Sequence, residues 1–324
     1  MFKKISSLVS VALSLAVFNP AAQAQSYPAG PVKLIVPYAP GAANDTLARI
    51  TAEALSKRLG QSVIVENKPG AGAQIGINYL VKAPADGYTI LYGERGGLSI
   101  QPALKTPAPH SLEKDFTFLA RMAAAQYAMV VSSSLPVANY KEFIEYAAKN
   151  PGKVRHGQTG EGSLAHLASE EIAAQSKINF IQVPYKGMAN VVNDLIAGHI
   201  DAALVSPSTI SAYKNSNKIR ILAMVSASRH PFLPDVPTVA ELGFHEIVAD
   251  NWYGIVGPAN MPPAVTSRLI SEFEALFNDP KFVARITDKG FVMAPLYGDA
   301  FKALAVSDSS NIRELGKKLN VKLD

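Results

Sequence analysis

The stretch Leu34-Ile35-Val36-Pro37-Tyr38-Ala39-Pro40-Gly41-Ala42-Ala43-Asn44-Asp45 decides how this chain is read. Leu34 to Val36 is a short apolar, β-branched run of the kind that forms a buried strand. Two prolines and a glycine stop it by position 41. From Thr46 a helical pattern begins, with Ala48, Ala52, Leu55 and Leu59 on one face and Gly60 as its stop. Asn44 or Asp45 can cap that helix, a side-chain oxygen taking an otherwise unpaired N–H. A strand, a small-residue turn and a helix N-terminus together present free backbone N–H groups and a positive dipole end, a geometry that holds an anion. An ordinary strand–helix turn of an α/β protein reads the same way, and this stretch by itself leaves both readings open.

Outward from there, strand and helix patterns alternate, which predicts an α/β fold with mostly parallel strands. Ser62 to Glu66 is a strand, followed by the glycine-rich Asn67–Gly76 and a short helix to Lys82. Gly70 and Gly72 fit a dinucleotide fingerprint, but Gly76 falls one place late and the fingerprint fails. Tyr88 to Tyr92 is another strand, and Gly93-Glu94-Arg95-Gly96-Gly97 reads as a loop at its carboxyl end, where α/β proteins place ligands. Ala120 to Val131 reads as a crossing to a second lobe, and Ile247 to Val256 as the return. Between them the opening design recurs: strand-like Val154-Arg155-His156, the loop Gly157-Gln158-Thr159-Gly160-Glu161-Gly162-Ser163, and a helix that Ser163 can cap. Gly157 and Gly162 match a P-loop, but Ser163 stands where its lysine must be, which argues against nucleotide hydrolysis. Two C-terminal helices are expected, Ala264 to Phe277 and roughly Ala300 to Leu319.

The 324 residues are 48% hydrophobic, enough for two lobes. Residues 1–24 read as a secretory leader, with Lys3 and Lys4, an apolar Ile5 to Phe18, and the cleavage site Ala22-Gln23-Ala24. Its removal leaves 300 residues beginning at Gln25 and lowers the formal charge from +5 to +3. That charge is too small and scattered for nucleic acid, and no later run is long enough to span a membrane. There is no cysteine, so disulfides, thiolate metal sites, a cysteine nucleophile and a lipid-anchoring motif are excluded. The expectation is an exported protein free in the periplasm, monomeric, without cofactor or metal.

An ordered series of motifs resembles the Bug (TctC-type) family, extracytoplasmic solute receptors of tripartite tricarboxylate transporters. It runs over essentially the whole mature chain: Tyr27-Pro28 with Pro31-Val32, Val36–Gly41 with Asp45 and Arg49, Val65–Gly72, and Asp86–Thr89. It continues through Gly160-x-Gly162-Ser163-x-x-His166-Leu167, Pro184-Tyr185-Lys186-Gly187, Leu233–Thr238 and Trp252-Tyr253-Gly254. The resemblance implies a two-lobed, type II-like periplasmic binding protein, each lobe a mostly parallel sheet flanked by helices. Lobe 1 would comprise residues 25–124 and 249–324, and lobe 2 residues 125–248. It implies a ligand carboxylate held between the loops Pro37–Asp45 and Gly157–Ser163, and integral-membrane transporter subunits as partners. The chain departs from the family pattern in three places: Ala42 and Ala73 replace glycines, and Glu94-Arg95 replaces small hydroxyl residues.

The ligand-binding candidates are therefore Tyr38, Pro40, Gly41, Ala42, Ala43, Asn44 and Asp45 from the first loop, and Gln158, Thr159, Gly160, Gly162, Ser163 and His166 from the second. Arg95, Lys186 and Asp250 complete the set. Arg95 is the sharpest for specificity, since a guanidinium takes a second carboxylate bidentately; pairing with Glu94 or solvent is its other fate. Ser163 and His166 share a helix face, but a cap explains the serine and no carboxylate is seen to orient the imidazole. A di- or tricarboxylate, an acidic amino acid and an aromatic acid all suit the reading. A ligand-sensing subunit of a two-component receptor, and more remotely a hydrolase, are the alternatives.

Overall fold

The apolar run at Leu34 to Val36 belongs to β1 (Val32–Val36), and helix α1 (Ala43–Leu59) begins three residues earlier than its apolar periodicity. There follow β2 (Val63–Asn67), α2 (Gln74–Val81), β3 (Thr89–Glu94), a π-helical turn (Gly96–Ile100) running into α3 (Gln101–Leu104), β4 (Phe116–Ala125) and β5 (Ala128–Ser132). Next come α4 (Tyr140–Lys149), β6 (Val154–Gln158), α5 (Leu164–Ser176), β7 (Phe180–Pro184), α6 (Met188–Ala197), β8 (Ala202–Val205), α7 (Pro207–Ile210) and β9 (Ile219–Met224). The chain ends with β10 (Asn251–Pro258), α8 (Pro263–Phe277), α9 (Pro280–Thr287), β11 (Val292–Tyr297) and α10 (Gly298–Leu319). This computed structural model describes residues 27–41, 43–185, 187–210, 213, 216–244 and 249–323. The leader, Ala42 and Lys186 lie outside the described residues.

The strands form two sheets, ordered β11-β4-β10-β3-β1-β2 and β7-β6-β8-β5-β9. Each sheet is buried on both faces: Val32, Leu34 and Val36 enter one core layer and Ile35 the opposite one, and Met129 and Val131 alternate in the same way with Ala128 and Val130. That double burial is why these strands read as unbroken apolar runs.

The expectation of mostly parallel strands holds only in part. The pairs β1–β2, β1–β3, β6–β7 and β6–β8 are parallel. Those made by β10, β11 and β5 are antiparallel. The mixture follows from the path of the chain: β4 ends in the first sheet and β5 opens in the second, with only Gln126 and Tyr127 between them. Strands that carry the chain between sheets cannot be βαβ crossovers, so they pair antiparallel.

Two further expectations are corrected. The segment after Glu94 is helical, not a loop. Its glycines serve close approach, since a Cβ on Gly97 would come within 2.8 Å of the Ala73 methyl. The C-terminal region also holds α9 and β11 between the two expected helices. Asp279 caps α9 by accepting from the Lys281 N–H at 2.9 Å, ahead of Pro280, a start signal plain in the sequence. β11 gives little signal because it is a half-buried edge strand interrupted by Pro295. No helix among the described residues is long and apolar enough to cross a membrane.

Candidate functional site

Both small-residue loops leave the carboxyl end of a parallel strand at a point where the strand order reverses. β1 lies between β2 and β3, and β6 between β7 and β8. In each case the helix following the strand leads to one neighbour and the next helix to the other. Such reversals open a crevice at the strand ends, the usual ligand position in α/β sheets.

In the first loop, Pro40, Gly41 and Ala43 are exposed, while Asn44 and Asp45 are buried. Gly41 sits at φ +83°, in the left-handed region that favours glycine. Asp45 is a strut of this loop. Its Oδ2 accepts from the Gly41 N–H and from Arg49 Nε, both at 2.9 Å, and its Oδ1 accepts from Asn67 Nδ2 at 2.8 Å. Asn67 Nδ2 also donates to the Tyr38 carbonyl at 3.0 Å. Burial pushes the Asp45 carboxyl up, but the bonds from Arg49, Gly41 and Asn67 outweigh it and bring it down to about 2.

Asp45→Ala would strand these donors and is expected to cost about 1–3 kcal/mol, read as a lowered urea midpoint. The folded value lies below the ordinary 3.8, so the stabilisation is present above 3.8 and is lost as pH falls through about 2. Asp45→Asn should lack this acid limb; an acid limb identical to wild type would remove Asp45 from the support of the loop.

In the second loop, Gly160 and Gly162 take φ +116° and +70°. The buried Gln158 accepts the Gly160 N–H on Oε1, and Thr159 is exposed. Ser163 caps α5 as its sequence suggests, Oγ accepting from the His166 backbone N–H at 3.2 Å. The His166 ring is turned elsewhere: Nδ1 accepts the Gly162 N–H at 3.1 Å, and Nε2 lies 4.0 Å from Glu170. That carboxylate stands one turn along the helix, too far for a hydrogen bond and engaged by Gln182 Nε2 at 2.7 Å, so it does not orient the imidazole. The ring makes no hydrogen bond with Ser163 Oγ, and the nucleophile–base pair is not formed. Among the described residues no cluster of His, Asp and Glu is arranged to hold a metal ion.

Beside these loops, β3 ends at Glu94 and Arg95 follows it, and the two side chains point to different partners. Glu94 is buried; its Oε1 accepts from the Tyr38 hydroxyl and, at 3.1 Å, from the Gly97 N–H. Tyr253 stands opposite it across β10. Tyr127 is also near: burial, and then the Glu94 charge, push its phenol up to about 12. Arg95 grips Asp308 of α10, Nε at 2.9 and 3.0 Å from its two oxygens and Nη2 at 2.6 Å. Its Nη1 donates to the Asp250 carbonyl at 3.1 Å, and the Trp252 indole donates to Asp308 at 3.2 Å. Neither fate weighed from the sequence, Glu94 or solvent, is the one observed. Asp308 lies 213 positions away, and nothing in its own neighbourhood marks it. Asp250 itself is pushed up to about 6 by burial, against the pull of Arg95 and Arg121, and its Oδ1 is buried without a partner.

The C-terminus ties the second loop to the segment that follows β3. Leu164 and Leu167 of α5 pack with Ile100, Leu104, Ile312 and Leu323. Leu323 also lies against Gly162, where a Cβ would meet its Cδ2 at 2.5 Å. The second loop thus rests on the helical segment that begins just after Glu94 and Arg95.

The family model described as tripartite tricarboxylate transporter family receptor matches residues 47–320. A Pseudomonas sp. protein named for the tcbD-tcbE intergenic region is 32% identical over 91% of this chain and 90% of its own length. The solved periplasmic binding protein BugD is 31% identical, with a TM-score of 0.78 over 91% of this chain and 99% of that one. An R. palustris protein solved with adipate is 26% identical, with a TM-score of 0.81 over 91% of this chain and 99% of that one.

Proposed function

Because the chain belongs to the tripartite tricarboxylate transporter receptor family, whose members bind substrates and are not enzymes, we propose that it captures a small organic carboxylate in the periplasm and hands it to integral-membrane transporter subunits. The observation that carries this reading is the repeated crevice: two sheets, each with a strand-order reversal, and at each reversal a small-residue loop running into a helix N-terminus. Backbone N–H groups at such ends suit an anion. Residues 25–124 with 249–324, and residues 125–248, are the lobes of this reading, except that Ala125 closes β4 and stays with the first sheet. The segments Gln126-Tyr127 and Ala249-Asp250 are its hinges, and closure withdraws the carboxylate from water. The adipate held by the R. palustris relative supports the ligand class.

Protein unfolded, dialysed and refolded to remove any carried ligand is screened by thermal shift against mono-, di- and tricarboxylates, adipate included. A true ligand at 100 times its Kd is expected to add about 2.7 kcal/mol of stability and to be recovered chemically unchanged. A panel in which no carboxylate raises the melting temperature would overturn the reading.

A further inference from the structure

The carboxylate of Glu94 lies at the carboxyl end of β3, beside the first loop, and it has no cation. Arg95, the neighbouring positive charge, is committed to Asp308, and no lysine, arginine or histidine among the described residues forms an ion pair with Glu94. Both hydrogen bonds Glu94 receives fall on Oε1, from the hydroxyl of Tyr38 and the N–H of Gly97. Oε2 receives none from the described residues. The residue is 9% exposed and this free oxygen is not sealed from water, so the carboxylate is mostly buried, without a cation, and still open to one through Oε2.

The surroundings repeat the imbalance. The two segments that join the sheets run side by side, Ala125 opposite Asn251. They carry three buried acceptor oxygens without partners: Gln126 Oε1, Asp250 Oδ1 and Asn251 Oδ1. Asn251 is linked to the glutamate's surroundings, since its Nδ2 donates at 3.1 Å to the Tyr253 hydroxyl, and Tyr253 is the cross-strand partner of Glu94. Arg95 and Arg121 already act on Asp250, so the acceptor left without a cation is Glu94, and a positively charged group rich in N–H bonds would complete it. A second carboxylate on the ligand would instead meet Glu94 as a like charge in a site withdrawn from water.

We propose that the ligand is an amino carboxylate, its carboxylate taken by the two loops and its protonated amine by Glu94. This rests on the carboxylate-binding reading above and narrows it. The chemistry it excludes is the plain dicarboxylate that the resemblance of the chain brings first to mind.

The test is titration calorimetry of refolded protein with matched sets of equal carbon number. The four-carbon set is 2-aminobutyrate, 4-aminobutyrate, butyrate and succinate; five- and six-carbon sets follow the same plan, ending in adipate. In the wild type an amino member should bind at least about tenfold tighter than the mono- and dicarboxylate of its set, the gain of a charge-assisted pair. Glu94→Gln keeps the shape and an acceptor for Tyr38 and Gly97. It should erase that tenfold margin while leaving the monocarboxylate within about threefold. A dicarboxylate that binds tightest in the wild type, or an amino preference untouched by Glu94→Gln, overturns the inference and leaves the carboxylate reading standing. No binding by any member of any set overturns both.

Discussion

Arg95→Ala is expected to cost about 3 kcal/mol of folding stability, the scale for breaking a largely buried ion pair by removing one partner. Arg95 and Asp308 are 15% and 12% exposed, so most of the penalty falls on an aspartate left without its cation. The guanidinium joins three parts of the chain: the end of β3, the Asp250 carbonyl on the return segment, and α10. Asp308 also receives the indole of Trp252, the single tryptophan of the chain, so intrinsic fluorescence reports on the cluster directly. Urea unfolding followed by that fluorescence and by circular dichroism should give the same lowered midpoint. Arg95→Ala with Asp308→Ala should be milder than Arg95→Ala alone, because the stranded charge leaves with its partner. A loss under about 0.5 kcal/mol in Arg95→Ala, with simple additivity in the double variant, would show the pair to be a surface contact of little consequence.

Gly162→Ala is expected to damage binding and stability together. Its φ of +70° costs an alanine about 1–2 kcal/mol. The added methyl also arrives 2.5 Å from Leu323 Cδ2, and overpacking of this kind costs about 1–3 kcal/mol. The chain can relieve the clash only by moving the C-terminal tail or the loop. Moving the loop shifts the Gly162 N–H off His166 and the Ser163 cap off the start of α5. We expect affinity for the tightest carboxylate of the thermal-shift screen to fall at least about tenfold. Gly162→Ala with Leu323→Ala removes the clash and keeps the backbone strain, so it should recover part of the stability. Wild-type stability and affinity in Gly162→Ala would mean that neither the left-handed turn nor the tail shapes this loop.

Much of this protein was readable before any fold was in view. The buried strands announced themselves because both faces of each sheet are covered, which makes Val32 to Val36 and Ala128 to Ser132 almost wholly apolar. Ser163 was legible as a cap because capping is local, its partner three residues away. Gly41 and Gly162 marked their loops because only glycine tolerates their backbone angles cheaply. The ordered motifs identified the family.

Tertiary structure decided what depends on distant partners. Asp45 reads as a helix cap, yet Asn67 and Arg49 make it the strut of the first loop. Gly96 and Gly97 read as part of a loop, whereas they start a helical segment, Gly97 close against Ala73 and Gly96 against the Glu94 carboxylate. Arg95 looked free to meet a ligand until α10 brought Asp308 to it, and that pairing leaves Glu94 as the uncompensated charge of the site. Local signals come from covalent neighbours and backbone angles, which a sequence states outright. Charge pairing comes from whichever side chains the fold brings within a few ångströms, and sequence separation says nothing about which those will be.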